Sequence, residues 1–116
     1  MQKLETLSAA KTFRIVHYAN GDDLLFFEPA NRIYFQSLLK KHLRPVCEIL
    51  RYELKPSRIE LILKFHELAI IPEKYREKLH LPLSNLFNSY AKSINQRYDR
   101  KGSLFRTRFE RKEILT

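Results

Sequence analysis

The stretch Arg58-Ile59-Glu60-Leu61-Ile62-Leu63-Lys64-Phe65 constrains the fold more than any other part of this chain. Side chains alternate across a strand with a period of two. Ile59, Leu61, Leu63 and Phe65 therefore share one face, and Arg58, Glu60, Ile62 and Lys64 share the other. The first face is wholly apolar and needs a cover, whereas the charged one meets solvent or a ligand. Just before it, Lys55-Pro56-Ser57 makes a tight connection, because proline fixes φ and removes a donor. Val46 to Leu54 ahead of that connection reads as another strand.

The remaining chain supplies matching elements. Thr12 to Tyr18 is a β-branched and aromatic run that predicts a first strand, and Asn20-Gly21-Asp22-Asp23 after it has turn chemistry. Pro29 suits the first turn of a helix. From there Ile33, Tyr34, Leu38, Leu39, His42 and Leu43 keep roughly helical spacing as far as Pro45, which ends the helix. His66 to Pro82 is mixed, with a short helix expected through Glu73 to Lys78. Ser84 is expected to cap a second long helix whose stripe of Leu86, Phe87, Tyr90, Ala91, Ile94 and Tyr98 packs inward. Gly102 follows the helix end, and Leu104 to Ile114 is expected to hold a last strand. The order is β-α-β-β-α-β. It predicts an α+β, ferredoxin-like (split βαβ) domain, an antiparallel sheet with two helices on one face. At 116 residues, with neither repeats nor linkers, 1–116 reads as a single domain.

Charge gives the first functional lead. Lysine and arginine total 22 against 13 acids, a formal +9. From Ser84 onward there are eight basic residues (Lys92, Arg97, Arg100, Lys101, Arg106, Arg108, Arg111, Lys112) against the three acids Asp99, Glu110 and Glu113, a net +5. A basic excess gathered in one stretch is the footprint of phosphate binding. Phe105 and Phe109 interleave with the arginines, which suits backbone contact with base stacking, although Phe109 itself reads as a core residue. Other classes recede. Two glycines leave no room for a glycine-rich phosphate loop, and the single Cys47 excludes a disulfide or thiolate cluster within one chain; it reads as a small buried apolar residue. His17, His42, His66 and His80 form neither an HxH nor an HExxH pattern. No apolar run approaches the ~20 residues of a membrane span, and Met1 to Ala10 lacks the apolar stretch of a secretory signal. The expectation is a cytoplasmic, nucleoid-associated protein with no membrane partner and no cofactor.

Two stretches carry a resemblance. Ser84-Asn85-Leu86-Phe87-Asn88-Ser89-Tyr90-Ala91-Lys92-Ser93-Ile94-Asn95-Gln96-Arg97-Tyr98, running on through Asp99-Arg100-Lys101-Gly102-Ser103-Leu104-Phe105-Arg106-Thr107-Arg108-Phe109, resembles the helix and following segment of the REP-associated tyrosine transposases, which belong to the HUH single-strand transposases and nucleases. Asn20-Gly21-Asp22-Asp23-Leu24-Leu25-Phe26 resembles that family's turn after the first strand. The resemblance implies the same β-α-β-β-α-β domain. It also implies a chemistry with three requirements: a histidine pair spaced by one residue on the third strand, a divalent metal, and a tyrosine on a helix beyond the last strand. Residues two apart on a strand point the same way, so both imidazoles reach one metal that polarises the scissile phosphate, and the tyrosine attacks to form a covalent link.

At the matching positions this sequence has Arg58 and Glu60. Arginine offers no lone pair to a metal, and one carboxylate is too few ligands. The sequence also ends at Thr116, before the expected nucleophile helix. Tyr90 and Tyr98 read as helix packing rather than nucleophiles. The expectation is thus a DNA-binding domain without a catalytic or metal site, holding single-stranded or hairpin DNA through Arg58, Lys64, Arg97, Arg100, Lys101, Arg106, Arg108, Arg111 and Lys112. Arg58 and Glu60 are the degenerate metal-site positions and candidates for a same-face ion pair. The alternatives are a transposase or nuclease subunit completed by a partner chain, or a decayed reading frame. The family resemblance allows either a monomer or a homodimer.

Overall fold

A computed structural model describes residues 5–115; the part of the N-terminal reading that falls on residues 1–4 lies outside them. The elements are β1 (Thr12–Tyr18), α1 (Pro29–Leu43), β2 (Cys47–Lys55), β3 (Arg58–Phe65), a 3-10 turn at Glu73–Tyr75, α2 (His80–Arg97) and β4 (Glu110–Glu113). The sheet order is β2-β3-β1-β4, and every neighbouring pair is antiparallel. This is the ferredoxin-like β-α-β-β-α-β arrangement that the sequence predicts.

The inward rows follow from the two-residue period. Phe13, Ile15 and His17 of β1 pair in register with Leu63, Leu61 and Ile59 of β3, and all six are buried. α1 covers this face with Phe35, Leu38, Leu39 and Leu43, and α2 covers it with Leu83, Leu86, Phe87, Tyr90 and Ile94. Aromatic rings meet at the centre: Phe35 lies 5.1 Å from Tyr90 edge-on, and Phe87 lies 5.3 Å from Phe105. The buried Tyr90 hydroxyl donates to the Leu25 carbonyl at 2.5 Å, and burial pushes its pKa up, so this phenol is a structural group. Cys47 is buried with its thiol on the Leu43 carbonyl at 3.4 Å, and desolvation pushes its pKa up to about 12. No helix among the described residues is long and apolar enough to cross a membrane.

Four local expectations need correction. Ser84 does not cap α2, because the helix begins a turn earlier at His80 and Ser84 sits inside it. The apolar stripe of α1 is rotated: Ile33 is 67% exposed and Tyr34 is 39% exposed, while Asn31 and Phe35 point inward. Asn31 earns burial by hydrogen bonding, since its Oδ1 accepts the Phe27 and Glu28 N–H groups at 2.7 and 3.0 Å. The short helix expected through Lys78 is only the 3-10 turn Glu73–Tyr75. The last strand is much shorter than Leu104 to Ile114. Leu104 and Phe105 are buried in a loop that meets β1 only through the Ala19–Phe105 bridge, and the regular strand begins at Glu110.

Candidate nucleic-acid interface

The outward face of the sheet carries charge in rows set by strand register. Lys55, Arg58 and Tyr18 lie side by side across β2, β3 and β1. The next row is Glu53, Glu60, Val16 and Glu110, and the one beyond is Arg51, Ile62, Arg14 and Lys112. An acidic row is thus flanked by two basic rows. Glu60 Oε1 accepts from Arg14 Nε at 2.9 Å and lies 2.7 Å from Arg14 Nη2. Arg58 Nε stands 3.5 Å from Glu60 Oε2, a charge contact without a hydrogen bond. Glu53 holds Arg51 at 2.8 Å and Lys55 at 3.5 Å. The two neighbouring cations hold the Glu53 carboxyl below the usual range, mainly through the Arg51 hydrogen bond.

A divalent cation does not fit the Arg58–Glu60 position. Arg58 presents positive charge and no lone pair, and the single carboxylate is already engaged by Arg14. Among the described residues no group of three or more histidine, cysteine or acidic side chains could hold a metal ion.

The expected DNA-contacting residues separate into three places. Arg58, Lys64, Arg106 and Lys112 belong to the outward face or its rim. Lys64 is exposed across from Glu48 in register, and the Arg106 guanidinium sits 4.8 Å from the Tyr18 ring centre. Arg97 and Arg100 instead tie the end of α2 to the rest of the fold. Arg97 pairs with Glu28 at 3.1 Å. Arg100 bridges Asp23 at 2.6 Å and the Asn95 side chain at 2.5 Å, and it is only 17% exposed. Lys101 is exposed in the loop that follows. Arg108 and Arg111 lie on the opposite, helix-covered side, because Arg111 pairs in register with the inward Ile15. Both line a cavity of about 490 Å³ between α2 and the 107–111 segment. The Arg111 guanidinium lies over Phe109 at 4.2 Å, and desolvation, then the charge of Arg108, lowers its pKa.

Two β1 residues, one on the outward face and one beneath it, escape a reading by motif. Arg14 is separated from Glu60 by 46 positions and meets it only through the β1–β3 register. His17, also on β1, stacks on Phe105 at 4.4 Å and meets Phe87 edge-on at 4.6 Å. Burial pushes its imidazole down to about 4. Its inward register after Phe13 and Ile15 was the available signal.

No protein-family profile matches this chain, and no curated protein does. Among solved structures, that of a REP-associated tyrosine transposase bound to a REP hairpin is similar, with a TM-score of 0.71 at 13% sequence identity. The alignment covers 100% of this chain and 64% of the other. At that identity the likeness is one of fold, and it links this chain to the fold of the REP-associated tyrosine transposases.

Proposed function

We propose that this chain is a DNA-binding domain that takes single-stranded or hairpin DNA on the outward face of its sheet, from Arg58 and Lys64 of β3 to the β4 edge, and does not cleave it at the Arg58–Glu60 position. One observation carries the reading. Lys64, Arg106 and Lys112 are exposed on the outward face or its rim, and among the described residues none has a carboxylate at ion-pair distance, whereas Arg14, Arg51, Lys55, Arg58, Arg97 and Arg100 all do. Unpaired cations gain most from a phosphate, because they give up no partner to meet it. Arg58 adds to this set, since Glu60 is already held by Arg14 and Arg58 can turn to a phosphate without stranding an acid. The fold shared with a transposase solved on a hairpin supports hairpin or single-stranded DNA over other polyanions.

The test is the salt dependence of binding to a hairpin oligonucleotide. The triple variant Lys64→Gln, Arg106→Gln and Lys112→Gln should flatten the log–log slope by about 2, since each single-strand phosphate contact contributes about 0.7. A control triple, Lys40→Gln, Lys41→Gln and Lys74→Gln, removes equal charge from α1 and the 3-10 turn and should leave the slope nearly unchanged. Equal flattening by both would reduce the attraction to net charge and remove the proposed face.

A further inference from the structure

The cavity beside β4 lies on the side of the sheet away from Arg58 and Glu60, so its chemistry stands whether or not the outward face holds DNA. α2 contributes His80, Ser84 and Asn88, which are spaced by four and therefore lie along one helix face. The facing segment contributes Thr107, Arg108 and Arg111, and His17 closes the floor. Among the described residues no acidic one lines it.

Two polar groups there are unexplained by the fold. His17 is 5% exposed, and its Nδ1 has no hydrogen-bond partner among the described residues. Arg111 Nε is likewise buried without a partner. A buried polar atom left unsatisfied costs about 1–3 kcal/mol, so each such atom in a folded protein calls for a reason. Both belong to one cavity, together with a second unpaired guanidinium, two hydroxyls and a carboxamide. That set supplies many donors, two fixed positive charges and no competing carboxylate. It is the donor chemistry of an oxyanion site, and guanidinium pairs match phosphate geometry in particular. The volume, about 490 Å³, falls in the range of pockets for whole small ligands rather than bare ions. Phe87 and Phe109 provide an apolar wall beside the polar groups.

We propose that this cavity binds the phosphate of a nucleotide, with Arg108 and Arg111 on the phosphate oxygens, Ser84 and Thr107 as neutral donors, and the phenylalanine wall against the rest of the ligand. The phosphate belongs either to a free mononucleotide or to the end of a DNA strand.

Amide and imidazole chemical shifts, followed at low ionic strength, read the site directly. The probes are inorganic phosphate, deoxyadenosine 5′-monophosphate, and a short oligothymidylate with and without a 5′-phosphate. Saturable shifts at Ser84, Asn88 and Thr107 to Arg111 are expected, with the His17 ring moving alongside. Arg111→Gln should weaken the mononucleotide by about tenfold or more, the usual effect of losing one charge-assisted contact. His17→Phe, which keeps the aromatic packing, provides a second variant should Arg111→Gln disturb the fold. Preference for the 5′-phosphorylated strand over both the mononucleotide and the unphosphorylated strand assigns the strand end as the source. Equal affinity for mononucleotide and phosphorylated strand assigns the free nucleotide. Absence of saturation by any phosphate probe, or saturation that Arg111→Gln leaves unchanged, overturns the proposal. Loss of the salt-slope effect at Lys64, Arg106 and Lys112 would count against the DNA reading alone, because none of those residues lines the cavity.

Discussion

Acid should destabilise this protein through the His17 imidazole. His17 has an ordinary pKa of 6.5 in the unfolded chain, and burial lowers it to about 4 in the folded one. Between those values the unfolded chain takes up a proton that the folded chain refuses, so the equilibrium moves toward unfolding as pH falls. The contribution is fully present above pH 6.5 and is lost progressively toward pH 4. One pKa unit corresponds to about 1.4 kcal/mol, so at pH 5 the loss is about 2 kcal/mol. Nothing around the ring offsets it. Arg108 and Arg111 across the cavity are cationic, His80 of α2 also lines it, and Phe87, Phe105 and Phe109 provide no acceptor.

Urea unfolding followed by circular dichroism, in zwitterionic buffers at pH 7 and pH 5, measures the effect. With a slope of about 1.5 kcal/mol/M, the His17 share is a midpoint shift of about 1.3 M. His17→Phe keeps a ring among the phenylalanines and removes the titration, so it isolates that share from the carboxylates, which titrate in both proteins. The wild type should lose about 2 kcal/mol more than the variant between the two pH values. Parallel losses in the two proteins would refute the reasoning and mean that the imidazole is protonated, or solvated, in the folded state.

Glu60→Gln should release Arg14 and Arg58 to the outward face. Affinity for hairpin DNA should rise and the salt slope should steepen by about 0.7 for each arginine that gains a phosphate; an unchanged slope would place the DNA away from this face. Arg58→His with Glu60→His should recreate a same-face imidazole pair but bind manganese weakly, because Arg14 then loses its partner and stays beside the ion. Calorimetry should show affinity rising when Arg14→Gln is added, and equal isotherms for the double and triple variants would contradict that account.

The fold was legible wherever local chemistry and tertiary demand agreed. β3 runs from Arg58 to Phe65 as its alternation requires, and β1 and α1 begin where Thr12 and Pro29 indicate. Legibility failed where tertiary packing chose between residues of similar character. In α1 the helical spacing selects Tyr34 for the core, whereas the position of the sheet buries its neighbour Phe35 and leaves Tyr34 to meet Ser93 at 2.8 Å. In the 104–109 segment the apolar residues read as strand, yet they fill the end of the core from a loop. The site was legible as a list of cations and illegible as an arrangement, because pairing across strands depends on register, and register joins residues as distant as Arg14 and Glu60.

That distinction separates two electrostatic effects which a charge count merges. The formal +9 acts at a distance, where paired and unpaired arginines contribute alike to the field that draws a polyanion in, and it governs the rate of encounter. Contact is a local matter. Arg97 and Arg100 supply two of the eight positive charges after Ser84, yet each already holds a carboxylate, and Arg100 is also largely buried. To reach a phosphate, Arg100 would have to leave Asp23 and Asn95 and loosen the junction between α2 and the turn after β1. Lys112 and Arg106 face no such cost. A variant at Arg100 should therefore change stability more than salt slope, and one at Lys112 the reverse. On the proposed reading, the cations that matter for binding are those that the fold leaves without a partner among the described residues, and only the paired strands reveal which they are.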